Sequence, residues 1–135
     1  MPLLSRKGIL AIAAVIDVAI HSAKRPVSAK VLAARHKLPP RHLEPVLQAL
    51  VRDGILRGIR GPHGGYELGR ERGQISADQI LRSAGRLEEA DGPSLASTAV
   101  IEVVRSALAD AERALSAALS RINIEDIAAT AERRK

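Results

Sequence analysis

The 135-residue chain contains no cysteine, tryptophan or phenylalanine, and only one tyrosine and one methionine. Without a thiol it can form no disulfide, thiolate zinc site, thiol nucleophile or cysteine-ligated iron-sulfur cluster. With Tyr66 as its lone aromatic it also lacks the stacking platforms on which most single-strand and RNA binders rely. Hydrophobic residues still make up 46% of the chain, so the core has to be built from Leu, Ile, Val and Ala. That composition favours helices, and the length fits one domain with a helical extension.

Catalytic and nucleotide-binding signatures are missing as well. The chain has no H-E-x-x-H, G-x-S-x-G, G-x-x-x-x-G-K-[ST] or G-x-G-x-x-G, and no evident pairing of its His residues with carboxylates. These absences argue against an enzyme.

What is present is positive charge, unevenly placed. The net charge is +6; residues 1–70 carry 12 Lys or Arg against 4 Asp or Glu, while residues 71–135 carry 9 against 11. His21, His36, His42 and His63 all fall in the first half. A polyanion partner for that half fits the asymmetry, although a solvated basic surface would share it, so motifs have to decide.

Arg6 and Lys7 ahead of the apolar run Ile9 to Ile20 imitate the start of a signal peptide. Asp17 interrupts the run, which is shorter than the roughly 20 apolar residues that span a bilayer. The segment reads as a buried first helix capped by Ser5, with Ile9, Ile12, Ala13, Ile16 and Ile20 toward the core, and the chain as cytoplasmic. After Lys24-Arg25-Pro26, SAKVLAARHKL predicts a short second helix capped by Ser28, with Leu32 and Leu38 inward. RHLEPVLQALVRDG predicts a third, beginning near Arg41 or His42, with Pro45 in its first turn and Gly54 as its stop. Leu43, Val46, Leu47, Leu50 and Val51 form its inner face, and Arg41, Glu44, Gln48 and Arg52 its polar face.

Two short helices joined by a tight turn, the second polar at its start, are the arrangement that lays a recognition helix in the major groove. Arg suits a guanine edge and Gln an adenine edge. A plain helical bundle with a solvated face has the same pattern, but the next segment separates the two. ILRGIRGPHGGYEL predicts two strands around the turn at residues 61–65, a basic wing bearing His63 and flanked by Arg57, Arg60 and Arg70. Gly58 to Gly61 also matches the G-x-x-G clamp of KH-type RNA binders, yet that clamp joins helices and these flanks read as strands.

Through SRKG, VSAKVLAARHKLPPRHLEPVLQALVRDGIL, RGPHGGYEL and ISADQILRSAG, the stretch from Leu4 to about Gly85 resembles the IscR/NsrR/CymR-type family of bacterial winged-helix transcription regulators. The resemblance implies a cytoplasmic homodimer that binds near-palindromic operators in double-stranded DNA. By position it implies that Arg41 and His42 face the major groove, where Gln48 on the same polar face would suit an adenine edge, and that Arg60, Gly61, His63 and Gly64 form a minor-groove wing tip. Ser5, Lys7, Ser28 and Lys30 become the phosphate-contact candidates, and Tyr66 packing at the wing base. Members that bind a cluster place Cys ligands in the region matching Arg86 to Ser97, which reads RLEEADGPSLAS here. No cofactor or metal is therefore expected, with Glu88, Glu89 and Asp91 in a solvated loop.

Ser76-Ala77-Asp78 opens a short helix that Gly85 is expected to end. Beyond it Ile101, Leu108, Leu115 and Ile122 recur every seven residues, with Val104, Ala111 and Ala118 between them. A helix from Ser97 to Arg121 would be about 35 Å long, more than one small domain can bury, so these seven residues are expected to form a dimerisation seam. Ile124 and Ile127 fit a final short helix, and Glu132 to Lys135 a frayed tail. The expected architecture is mainly α: a winged helix-turn-helix domain with a small β-hairpin wing (1–85), a linker (86–96) and a long dimerisation helix with its tail (97–135). The function read from it is sequence-specific DNA binding in transcription regulation; the alternative is a dimeric ligand-sensing or partner-binding module without specific DNA binding.

Overall fold

The computed structural model describes residues 5–91 and 97–134, with side chains throughout except at 86–91. Among these residues six helices and one hairpin follow the order α1 (Arg6–His21), α2 (Ala29–Arg35), α3 (Pro40–Arg52), β1 (Leu56–Ile59), β2 (Gly65–Leu68), α4 (Ala77–Asp91), α5 (Ala99–Ser120) and α6 (Ile124–Arg133). A single 3-10 turn, Arg72–Gln74, precedes α4. This is the mainly α winged helix-turn-helix the sequence predicts.

Helix starts follow local chemistry. Ser5 Oγ accepts the Gly8 N–H at 2.9 Å, Ser28 Oγ the Val31 N–H at 3.1 Å, and Thr98 and Asn123 do the same for α5 and α6. At α4 the capping is reciprocal: Ser76 Oγ accepts from Gln79 N and Gln79 Oε1 accepts from Ser76 N, both at 3.2 Å.

The core is aliphatic, gathering Val15 and Val18 of α1, Leu32 of α2, Leu43, Val46, Leu47 and Leu50 of α3, Ile55, Ile75, Ile80 of α4 and Ile124 of α6. Tyr66 packs at its edge, at the base of the wing as expected.

Several expectations are corrected. α1 buries Ala11, Ala14, Val15 and Val18, whereas Ile9 of the expected core stripe is 48% exposed. The small-residue face allows close approach to α4: a Cβ on Gly8 would lie 2.6 Å from Leu81 Cδ2. Ile16 is buried in the core and Ile12 and Ile20 pack against it half-buried, as expected, while their outer sides and Ile9 line an apolar groove of about 430 Å³ with Ile127. Val51 of α3 is also exposed. α3 begins at Pro40, so Pro45 lies beyond the first turn and its missing N–H removes a bond to the Arg41 carbonyl. α4 continues through Gly85 to Asp91, because one helical glycine costs only about 1 kcal/mol relative to Ala. The expected loop therefore starts later; residues 92–96, and the side chains of Glu88, Glu89 and Asp91, lie outside the described residues. Glu132 belongs to α6 and accepts from Arg72 Nη2 at 3.1 Å, so the chain is still helical where a frayed tail was expected; Lys135 is outside the described residues.

Candidate nucleic-acid interface

The hairpin pairs Leu56 with Leu68, Arg57 with Glu67, Gly58 with Tyr66 and Ile59 with Gly65. A third segment joins it, since Val27 N donates to Tyr66 O at 2.9 Å and Tyr66 N to Val27 O at 2.8 Å. The wing is thereby bonded to the residue that leads into α2. Gly65 makes that approach possible: its φ is +154°, and a Cβ there would lie 2.6 Å from the Val27 carbonyl carbon.

At the wing tip, Gly64 N donates to Gly61 O at 2.9 Å, and Gly64 has no room for a side chain against the Ile59 carbonyl. Gly61, Arg60 and His63 are exposed. Of the three arginines expected on the wing, only Arg60 is engaged by no other described residue. Arg57 Nε donates to Glu67 Oε1 at 2.8 Å across the hairpin. Arg70 donates to the carbonyls of Asp53, at 2.9 Å, and Gly54, at 3.3 Å, and to Gln79 Oε1, joining the end of α3 to the wing exit and to α4.

Arg41 and His42 project from the first turn of α3 and Gln48 lies farther along it, all three exposed. Arg41 and His42 share a groove of about 450 Å³ with Arg6 and Lys7 from the start of α1, over a floor of Leu10, Leu38, Pro45 and Val46. Lys7 thus meets the major-groove candidates, and Arg6, which was not among the DNA-contact candidates, joins them. Only the fold could reveal this meeting of two helix starts. Lys30 is exposed on α2, while Ser5 and Ser28 accept capping hydrogen bonds that leave their O–H protons to donate.

Behind this surface lies a buried charge cluster, also missed. Asp17 is 7% exposed. Its Oδ1 pairs with Arg35 Nη1 and lies 3.1 Å from His21 Nδ1, while Oδ2 lies 3.2 Å from His36 Nε2 without the alignment of a hydrogen bond. The carboxylate of α1 thus holds the C-terminal end of α2.

Of the seven seam candidates, Val104, Leu108, Ala111, Leu115 and Ala118 are exposed on α5 and Ile101 is half-buried. Ile122, also exposed, sits past the helix end, in the turn to α6. No residue of α5 is buried, and Val100 and Val103 are 70% and 67% exposed. Among the described residues no helix is long and apolar enough to cross a membrane, and no group of His, Asp or Glu could hold a metal ion.

A helix-turn-helix followed by a bonded β-hairpin defines a winged-helix protein. The model of the Rrf2 family, described as iron-dependent transcriptional regulators, matches residues 4–130, and the chain belongs to that family. It is similar to the HTH-type transcriptional regulator IscR of Xenorhabdus nematophila, 36% identical over 78 residues, which are 58% of this chain and 48% of that protein. The match thus spans about half the length of this curated relative. Among solved structures it is similar to T. potens IscR, with a TM-score of 0.75, 29% identity, and coverage of 98% of this chain and 90% of that one. It is also similar to CymR, the global cysteine regulator of B. subtilis, with a TM-score of 0.72, 27% identity, and coverage of 94% and 96%. A thiolate-held iron-sulfur cluster of the kind the resemblance brings to mind does not fit these residues, since the whole chain supplies no cysteine.

Proposed function

We propose that this chain is a homodimeric, sequence-specific regulator of transcription that reads double-stranded DNA in the cytoplasm, with α3 in the major groove and the wing in the minor groove. One observation carries the reading: the start of α3 and the wing tip present Arg41, His42, Arg60 and His63 exposed, their side chains engaged by no other described residue. Arg supplies the bidentate donor for a guanine edge and the charge that a narrow minor groove attracts. The second copy is supported by α5, whose unburied Val100, Val103, Val104 and Leu108 form an apolar face that a partner helix can cover. A two-fold dimer suits a near-palindromic operator.

Selection of bound duplexes from a random library, followed by affinity measurements, tests the proposal. A recurring inverted repeat bound far more tightly than random DNA is expected; equal affinity for selected and random duplexes would refute it. Arg41→Ala should relax preference at one position of each half-site, at a cost of about 1 to 3 kcal/mol.

A further inference from the structure

We infer that the cleft between the wing tip and the entrance to α2 seats one backbone phosphate of the duplex, held by Arg25 and His63; this rests on the DNA-binding reading above. The cleft measures about 270 Å³ and is lined by His21, Arg25, Ser28, Arg35 and His63, with Pro26, Val27 and Pro62 among its apolar walls. Its polar lining consists of groups able to donate, and no carboxylate is among them. The acid behind it, Asp17, is already taken up by Arg35 and His21. Ser28 Oγ accepts the Val31 N–H, so its hydroxyl can add only its own proton to the cleft. Arg25 and His63 remain, both exposed and with no hydrogen bond or ion pair to another described residue.

These two donors stand on separate segments, the loop after α1 and the wing tip. The paired backbone bonds between Val27 and Tyr66 hold those segments together, so the cleft exists before any ligand arrives and little ordering is needed to fill it. Position identifies the ligand. In a helix-turn-helix the first helix crosses the phosphodiester backbone, here α2, while the wing enters the neighbouring minor groove. What lies between them is the sugar-phosphate strand, and a guanidinium matches a phosphate in charge and in its planar pair of donors.

Such a contact carries no sequence information, and that sets its test. Wild type, Arg25→Ala, Arg25→Lys and His63→Ala, each checked for an unchanged circular dichroism spectrum, are titrated with a selected operator and a random duplex at several salt concentrations. Arg25→Ala is expected to weaken both complexes by the same factor and to flatten the slope of log affinity against log salt by about 1. The advantage of wild type over Arg25→Ala should then shrink about threefold between roughly 50 and 200 mM salt. Arg25→Lys should restore the slope, and His63→Ala should weaken both duplexes alike. A wild-type slope and affinity in Arg25→Ala would overturn the inference, as would a loss confined to the selected operator. Inorganic phosphate is titrated in parallel, followed by the His63 ring resonances. Saturable phosphate binding that Arg25→Ala abolishes, with duplex binding unchanged, would assign the cleft to a free anion and overturn the inference too. Failure of the wild type to bind any duplex sinks the DNA-binding reading itself, a result distinct from these.

Discussion

Asp17 is one carboxylate facing Arg35, His21 and His36, and its removal would leave the Arg35 guanidinium without its buried counter-charge. Asp17→Ala is expected to lower stability by about 1.5 to 3 kcal/mol, read from the midpoint of urea denaturation at constant slope. A pair of glycine substitutions makes a second test at this scale. A Cβ at Gly58 would meet nothing within 4 Å, whereas one at Gly65 would strike the Val27 backbone. Gly58→Ala should leave both stability and duplex affinity unchanged. Gly65→Ala should break the bonds between wing and α2, and hydrogen exchange at the Val27 and Tyr66 amides would report it. Residues were legible in the sequence where their partners are local: Ser5 and Ser28 cap the amide three residues on, and their type and place announce it. Asp17 was read only as an interruption because Arg35, 18 residues away, carries no local sign of pairing. α1 offered two apolar stripes, one of alanines and one of isoleucines, and hydrophobicity alone favoured the larger residues. Packing buried the smaller ones completely, since they let α4 come close, and kept Ile16 with them while turning Ile9 outward.

Among elements, α4 and α5 are joined by a polar contact rather than by a shared core. Asp78 Oδ2 accepts from Arg82 Nε at 2.8 Å and Oδ1 accepts from Ser116 Oγ at 2.8 Å, while Arg82 Nη2 reaches Ser116 Oγ at 2.7 Å. Burial alone would raise the Asp78 pKa, but the bonds from Arg82 and Ser116 and the charge of Arg82 outweigh it and hold the carboxyl below its ordinary value. A carboxylate depressed in the folded state stabilises fully above its unfolded pKa and loses that contribution as pH falls through the folded one. The stability difference between wild type and Asp78→Asn should therefore be constant from neutral pH down to about 5 and shrink below about 4. Thermal denaturation of both proteins across that range measures it, and a difference that grew on acidification would contradict the assignment. The helix and strand types were all readable from periodicity and turn residues. The boundaries at Gly85 and Pro45 were not, because a helix tolerates a residue that propensity disfavours when its neighbours pack well.

For the whole molecule, the proposed dimer makes two expectations. Leu108 is 53% exposed, so Leu108→Asp should leave the protomer folded while sedimentation shows a monomer. Losing the second half-site contact should cost operator affinity on the order of a hundredfold or more. Protein purified without oxygen should be colourless, because the chain has no thiolate with which to hold a cluster. A visible iron-sulfur absorption band would contradict that. The basic first half and the apolar heptad were plain in the sequence, being matters of composition and spacing; the meeting of α1 with α3, and of Arg25 with His63, was not, since neither pair is close along the chain.

The backbone bonds between Val27 and Tyr66 also bear on how such a protein could be switched. With hairpin and helix-turn-helix tied into one piece, a protomer of the proposed dimer would meet DNA as a rigid stamp, with the proposed major-groove and minor-groove contacts at a set separation. The wing has little freedom to fold away on its own. In the proposed dimer, the gap between two stamps depends on how the contact of Asp78 and Arg82 with Ser116 seats α5 on α4. An operator with one base pair added between its half-sites measures that gap directly, and any signal that changes the preferred spacing would have to act there.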